Sequence, residues 1–140
     1  MTHLHFENLT TVKLPLVQRF YKNHYPAAKA NKSETIIVGY INGSICCAVR
    51  FRKIEQYQLL TGMAVDSTMR HQGIGSSLLA YCQRTILTHD VYCFALTSLD
   101  FFYQRYGFTI INPDQLPNSL KMLYQSYTRS GKALTPMQFN

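Results

Sequence analysis

The sequence predicts an α/β (α+β) fold in which helices flank a mixed sheet, and three observations carry that expectation. Asn42-Gly43 stands between two apolar, β-rich runs, "TIIVGYI" and "SICCAVRFRKI", the pattern of a two-residue turn joining antiparallel strands. Further on, "QYQLLTGMAV" leads through Gly73 and Gly75 into residues at helical spacing and then into the apolar run "VYCFAL". Strand, helix and strand in that order predict two parallel neighbours joined by a right-handed crossover. Finally, no repeat, low-complexity tract or Pro/Gly/Ser-rich linker divides the 140 residues. Residues 1–140 are therefore read as a single domain, long enough to bury a core without disulfides or a structural metal.

The remaining elements follow in order. "HLHFENL" alternates as a short strand, and in "LPLVQRFYKNHY" the apolar residues Leu14, Val17, Phe20 and Tyr21 recur at helical spacing. Gly62, inside the strand-like "QYQLLTGMAV", weakens pairing there and marks a bulge or a backbone that something else approaches closely. Ile74, Leu78, Leu79, Cys82 and Ile86 give one apolar stripe and predict a helix over residues 75–88. "VYCFAL" reads as a buried strand, and a short helix over residues 98–106 ends at Gly107, which suits the position just past a helix end. "FTII" is then a strand. Beyond the Pro113 and Pro117 breaks, Leu120, Leu123, Tyr124 and Tyr127 make one more amphipathic helix, and residues 134–139 add a last strand.

Composition excludes several classes. With 46% hydrophobic and 15% charged residues the chain is expected to be folded rather than disordered, and no apolar run reaches the ~18 residues that span a bilayer. "MTHLHFENLT" has no basic start followed by an apolar core, so a cytoplasmic protein without a membrane partner is expected. The Asn-x-Ser/Thr triplets at Asn8, Asn31 and Asn42 then have no bearing on glycosylation. Cys46, Cys47, Cys82 and Cys93 contain no C-x-x-C pair and no zinc spacing, and read as reduced, small apolar residues. Adjacent Cys46 and Cys47 are expected on opposite faces of a strand, unable to act together. His3 and His5 share a strand face but have no third ligand nearby, and no metal is assigned. Fourteen Lys and Arg against seven Asp and Glu give a net charge of +7 and favour an anionic partner. The densest clusters are Arg50, Arg52 and Lys53, with Lys29 and Lys32. A merely solvated basic face, nucleic acid and the phosphates of a small co-substrate all remain open.

The chemistry concentrates in "AVDSTMRHQGIGSSLL". The first N–H groups of a helix have no partner within it, and the aligned peptide dipoles place roughly half a positive charge there. Glycines at 73 and 75 remove side chains that would hold an anion away, and they allow a left-handed turn. Arg70 adds a cation at the rim, and the hydroxyls of Ser76 and Ser77 can donate. The result is an anion cradle of diphosphate size at the mouth of a βαβ unit. A dinucleotide-binding G-x-G-x-x-G fails because Leu78 holds the third glycine position, and no G-K-[ST] of a phosphate-binding loop occurs.

This segment resembles the cofactor-binding segment of the GNAT acetyltransferase superfamily, Q/R-x-x-G-x-G/A, matched by Arg70, Gly73 and Gly75. "FFYQRYGF" resembles that family's later F-Y-x-x-x-G-F segment, matched by Phe102, Tyr103, Gly107 and Phe108, and the two lie in the family's order with one strand between them. The chain's end, with "LP" opening a helix and "P-x-M"-like text beginning the last strand, also resembles family members. The resemblance implies a mostly antiparallel sheet splayed at its two parallel central strands, with acetyl-CoA as co-substrate in the opening. It implies that the pantetheine arm bonds to the backbone of Met63, Ala64 and Val65. It implies also that the pyrophosphate is held by Arg70, His71, Gln72, Gly73, Ile74, Gly75 and Ser76, and that Tyr103 is the general acid. A phenol of pKa about 10 is protonated at neutral pH, but it is a weaker acid than a thiol of about 8.5, so the transfer needs a strained geometry or a relay through the amine. Tyr106 is the nearest substitute.

Two departures from the family bear on catalysis. The strand "QYQLLTGMAV" carries no acid, with Leu59 at about the place where some members have Glu. Glu55 in the preceding turn is the nearest candidate base; an ordered water, Glu34 or the substrate's own equilibrium are the alternatives. Leu96 stands where several members place Asn. The function expected is direct transfer of acetyl from acetyl-CoA to a primary amine. A non-catalytic CoA-binding regulator and an acetyltransferase acting on aminoacyl-tRNA are the rivals within reach of the motifs, and a nucleic-acid-binding module is a rival outside them. The acceptor, acidic or not, the role of nucleic acid and a homodimeric state are left open.

Overall fold

The computed structural model describes residues 3–140, and the chain forms two compact units. One comprises the chain up to Arg52 together with Thr61–Thr85, the other Lys53–Leu60 with Ile86–Asn140. Among the described residues seven strands and four α-helices build them. In chain order, the fourth and fifth strands pair in parallel; the first with the second, the second with the third, the fifth with the seventh and the sixth with the seventh pair antiparallel.

In the first unit β1 (Leu4–Asn8) runs antiparallel to β2 (Thr35–Ile41), which runs antiparallel to β3 (Ser44–Ile54). The β2–β3 turn is the Asn42-Gly43 turn that the sequence predicts. Ile41 faces Ser44, and both turn residues have positive φ, 53° and 80°, the conformation whose twist matches that of the flanking strands. The helix α1 (Leu14–His24) starts on Pro15, which costs nothing in a first turn where the N–H would be unpaired. Its Val17, Phe20 and Tyr21 pack with Ala30, Ile36, Val38, Ala48 and Ala64 in one buried cluster. The far end of β4 (Tyr57–Val65) and the helix α2 (Ile74–Thr85) complete the unit, with Ile74, Leu78, Leu79 and Cys82 as the buried stripe of α2.

In the second unit the near end of β4 pairs in parallel with β5 (Val91–Leu96), Gln58–Leu60 facing Val91–Cys93. Beyond β5 the order is β7 (Leu134–Phe139) and then β6 (Phe108–Ile110), both pairings antiparallel. The short α3 (Asp100–Gln104) follows β5, and α4 (Asn118–Arg129) follows Pro117. Leu59, Tyr92, Leu116 and Leu120 form one buried cluster, with Leu123 and Tyr124 of α4 packed against it.

Three expectations need correction. The helix predicted over residues 75–88 is α2, which begins one residue earlier and ends at Thr85. There Thr88 makes a turn instead: its hydroxyl accepts from Asp90 N–H at 3.3 Å and its carbonyl from Val91 N–H at 2.9 Å, which launches β5. The helix predicted over residues 98–106 is a 3-10 turn, Thr97–Leu99, followed by α3, because Asp100 N–H bonds to Thr97 O. Cys46 and Cys47 do not act apart: the β2–β3 register shifts between Gly39 and Tyr40, leaving Cys46 as an extra residue. Such a bulge breaks the alternation of faces, and the Cys47 thiol hydrogen-bonds to Cys46, drawing the Cys46 pKa below its ordinary value.

Candidate functional site

The segment that leaves β4 is held at several points. Asp66 N–H donates to Cys46 O at 2.7 Å, and Asp66 Oδ1 accepts from both the N–H and the hydroxyl of Thr68, at 2.8 and 2.7 Å. Those two bonds, first the hydroxyl's, draw the Asp66 carboxyl below its usual value, with the neighbouring His24 adding to the effect. His24 closes the other side, its Nε2 3.7 Å from Asp66 Oδ2.

Five residues after Asp66 the backbone turns left-handed at His71 (φ 66°) and again at Gly73 (φ 79°), and α2 starts at Ile74. Alternation of right- and left-handed residues turns successive N–H groups to one side and makes a concave anion site. The first helical bond runs from Ser77 N–H to Gly73 O at 3.0 Å, so the amides of Ile74, Gly75 and Ser76 have no acceptor within the helix. A Cβ placed on Gly73 would meet nothing within 4 Å. The space over the turn is open, as a phosphate group requires. Arg70, His71, Gln72 and Gly73 are exposed, Gly75 and Ser76 half-buried, and Ile74 is buried, pinning the helix start to the core. Arg70 Nη2 reaches His24 O at 3.5 Å.

Upstream, Met63 and Val65 are half-buried while Ala64 between them turns into the α1 cluster. The sequence-predicted residues Met63, Ala64, Val65 and Arg70 through Ser76 thus lie together in the first unit.

Tyr103 and Glu55 belong to the second unit. Tyr103, on α3, is buried, its ring edge-on to Phe102 at 5.2 Å and to Phe108 at 5.9 Å. Glu55 is exposed in the β3–β4 turn with a φ of 55°, at the end of β4 away from Met63 and Val65.

Arg50 corrects another expectation. Grouped by sequence with Arg52 and Lys53 as a surface cluster, it is 8% exposed, and its guanidinium pairs with Glu34 at 3.3 Å and donates to the carbonyl of Lys29. Arg50 therefore offers no free charge to an acidic partner, whereas Arg52, Lys53, Lys29 and Lys32 are exposed. Sequence reasoning missed Tyr21, Arg50, His24 and Asp66 as parts of this region. One signal for Arg50 was present: "ICCAV" and Phe51 are apolar on both faces of β3, so a strand residue between them has no exposed side.

Among the described residues no three His, Cys, Asp or Glu side chains gather as a metal site, and no helix is long and apolar enough to cross a membrane. A family model described as an acetyltransferase (GNAT) domain matches residues 32–110, more than half of the chain. None of the curated proteins matches the sequence. Solved structures resemble this one at low identity. N-acetylglutamate synthase from Neisseria gonorrhoeae, complexed with coenzyme A and N-acetyl-glutamate, has a TM-score of 0.68 at 13% identity, and the match covers 99% of this chain but only 35% of that one. The ribosomal-protein-S18-alanine N-acetyltransferase of Escherichia coli has 0.67 at 16%, covering 98% of this chain and 93% of its own. Arabidopsis thaliana Naa50, in complex with a bisubstrate analogue, has 0.63 at 17%, covering 98% of both. Likeness at these identities shows a shared fold.

Proposed function

This chain belongs to the GNAT acetyltransferase family, and from that premise we propose that it transfers an acetyl group from acetyl-CoA directly to a primary amine. In this reading residues 1–140 act as one acetyltransferase domain, and the protein works in the cytoplasm. The four buried free cysteines suit a reducing compartment.

One observation carries the reading of the site: the left-handed pair His71 and Gly73 opens directly into α2, beneath open space where a Cβ on Gly73 would meet nothing within 4 Å. The unpaired amides of Ile74, Gly75 and Ser76 take the phosphate oxygens, the helix dipole favours the negative charge, and Arg70 adds a charge-assisted bond. The backbone of Met63, Ala64 and Val65 takes the amide arm of the co-substrate. Tyr103 is the general acid that returns a proton to the departing thiolate. An acceptor amine must arrive neutral, and residues 61–65 hold no carboxylate that would take its proton. Water or the substrate's own equilibrium then supplies the free amine. The exposed Lys29, Lys32, Arg52 and Lys53 favour an acceptor with acidic surroundings.

Titration calorimetry with acetyl-CoA tests the proposal, using the native protein with Arg70→Ala and Gly73→Glu. Saturable binding, weakened roughly tenfold by loss of the arginine and abolished by the carboxylate, is the expected result, and an amine screen with acetyl-CoA then finds the acceptor. Absence of acetyl-CoA binding by the native protein overturns it.

A further inference from the structure

Glycine permits a left-handed backbone but does not impose one, because without a Cβ it populates positive and negative φ about equally. Gly62 nonetheless sits at φ 66° in the middle of β4, so something else must select that state. Polar side chains from two other elements converge there, backed by a third from the loop before β2. Tyr21 of α1 donates its hydroxyl to Gly62 O at 2.7 Å. Burial holds the Tyr21 pKa well above the ordinary phenol value, so this group is a donor throughout the physiological range. Arg50 of β3 lies over the Tyr21 ring, 5.3 Å from its centroid. Its Nε and Nη2 occupy the space beside Gly62, 2.7 and 3.1 Å from where a Cβ would be. Glu34, just before β2, balances the guanidinium at 3.3 Å and is itself fixed by Asn31 N–H at 2.7 Å.

This arrangement is a poor way to gain stability alone. A buried ion pair is often no better than apolar side chains of the same volume, and Arg50 Nε is buried with no hydrogen-bond partner. What the cluster does hold is the Gly62 carbonyl, through the Tyr21 hydroxyl, immediately before Met63, Ala64 and Val65 in β4. We infer that Tyr21 and Arg50, with Glu34 as counter-ion, are positioning residues: they lock Gly62 left-handed and thereby hold the backbone at Met63, Ala64 and Val65 ready for the amide arm of acetyl-CoA. This rests on the acetyl-CoA reading above. None of the three side chains needs to touch the reacting atoms.

The test compares two ligands on three proteins by calorimetry. Acetyl-CoA carries the amide arm, whereas adenosine 3′,5′-bisphosphate carries phosphates without it and reports the glycine turn alone. Tyr21→Phe keeps the ring and removes only the bond to Gly62 O. Arg50→Lys keeps a buried cation for Glu34 but not the planar group packed against Gly62. Each substitution should weaken acetyl-CoA binding about fivefold or more, the effect of one net hydrogen bond, and leave the bisphosphate constant unchanged, with melting temperatures recorded alongside. Equal affinity of native protein and Tyr21→Phe for acetyl-CoA, or equal losses for both ligands, overturns the positioning role while leaving the acetyl-CoA reading intact. Failure of the native protein to bind acetyl-CoA overturns both.

Discussion

Nδ1 of His24, in the last turn of α1, accepts a hydrogen bond from the backbone N–H of Ser67 at 3.1 Å across 43 positions of sequence. The end of a helix thus grips the start of the anion-binding turn. His24→Ala should lower the affinity for acetyl-CoA about fivefold, a loss that fits one net hydrogen bond. His24→Asn, whose amide oxygen can replace Nδ1 as acceptor, should recover part of it. Calorimetry on the two variants checks both statements.

Asp66 makes the same turn sensitive to acid. Its carboxyl is held below the ordinary value chiefly by the Thr68 hydroxyl, then by Thr68 N–H, with a contribution from His24. Near or below the unfolded pKa the folded protein therefore binds fewer protons at this group than the unfolded chain does. The stabilisation is present above about pH 4 and is lost as pH falls through the folded value. Melting temperatures of native protein and Asp66→Asn should differ most at pH 6 and converge as the pH falls below about 4.

Two left-handed glycines should respond differently to the same change. Gly73→Ala introduces backbone strain of about 1–3 kcal/mol but no collision, since nothing lies within 4 Å of the new methyl. Gly62→Ala adds to that strain a methyl 2.7 Å from Arg50 Nε and 3.0 Å from Tyr21 Oη, disturbing a buried ion pair whose disruption costs several kcal/mol. Urea unfolding should rank Gly62→Ala as the clearly less stable variant.

Tyr103→Phe separates catalysis from binding. Loss of a general acid should lower turnover about 100-fold to 10,000-fold, with the acetyl-CoA dissociation constant unchanged. Glu55→Gln, in an exposed turn, should leave the rate as it was. Steady-state rates with one productive amine acceptor decide between these outcomes, and undiminished turnover in Tyr103→Phe would remove the phenol from the mechanism.

Most of the element order was legible because the signals are local. Asn42-Gly43 needs only its own backbone to make the turn, and the stripe of Ile74, Leu78, Leu79 and Cys82 needs only the helical period. The misreadings arise where a partner decides. Ile86 and Leu87 extend the apolar pattern past the end of α2, but the hydroxyl and carbonyl of Thr88 claim the neighbouring amides first. The extra residue at Cys46 is a property of the pairing with β2, which β3 alone does not encode. The glycine turn was legible as a motif, whereas the grip of His24 on it, and that of Tyr21 and Arg50 on Gly62, are tertiary contacts between distant segments. Arg50 misled most, since a positive charge reads as surface until the strand around it is seen to be covered on both sides.

The Asn42-Gly43 turn bears on the order of events when the chain folds. A two-residue loop brings Ile41 to Ser44 at almost no loop-closure cost, and such hairpins form within about 1–10 μs. The parallel register of Gln58–Leu60 with Val91–Cys93 instead spans the whole of α2 and cannot form until that segment has been laid down, the kind of non-local pairing that slows folding. Antiparallel pairing around β2 and β3 should therefore gain hydrogen-exchange protection early in refolding. The amides of β5 should gain it last, so a chain newly released from the ribosome leaves β5 uncovered for longest.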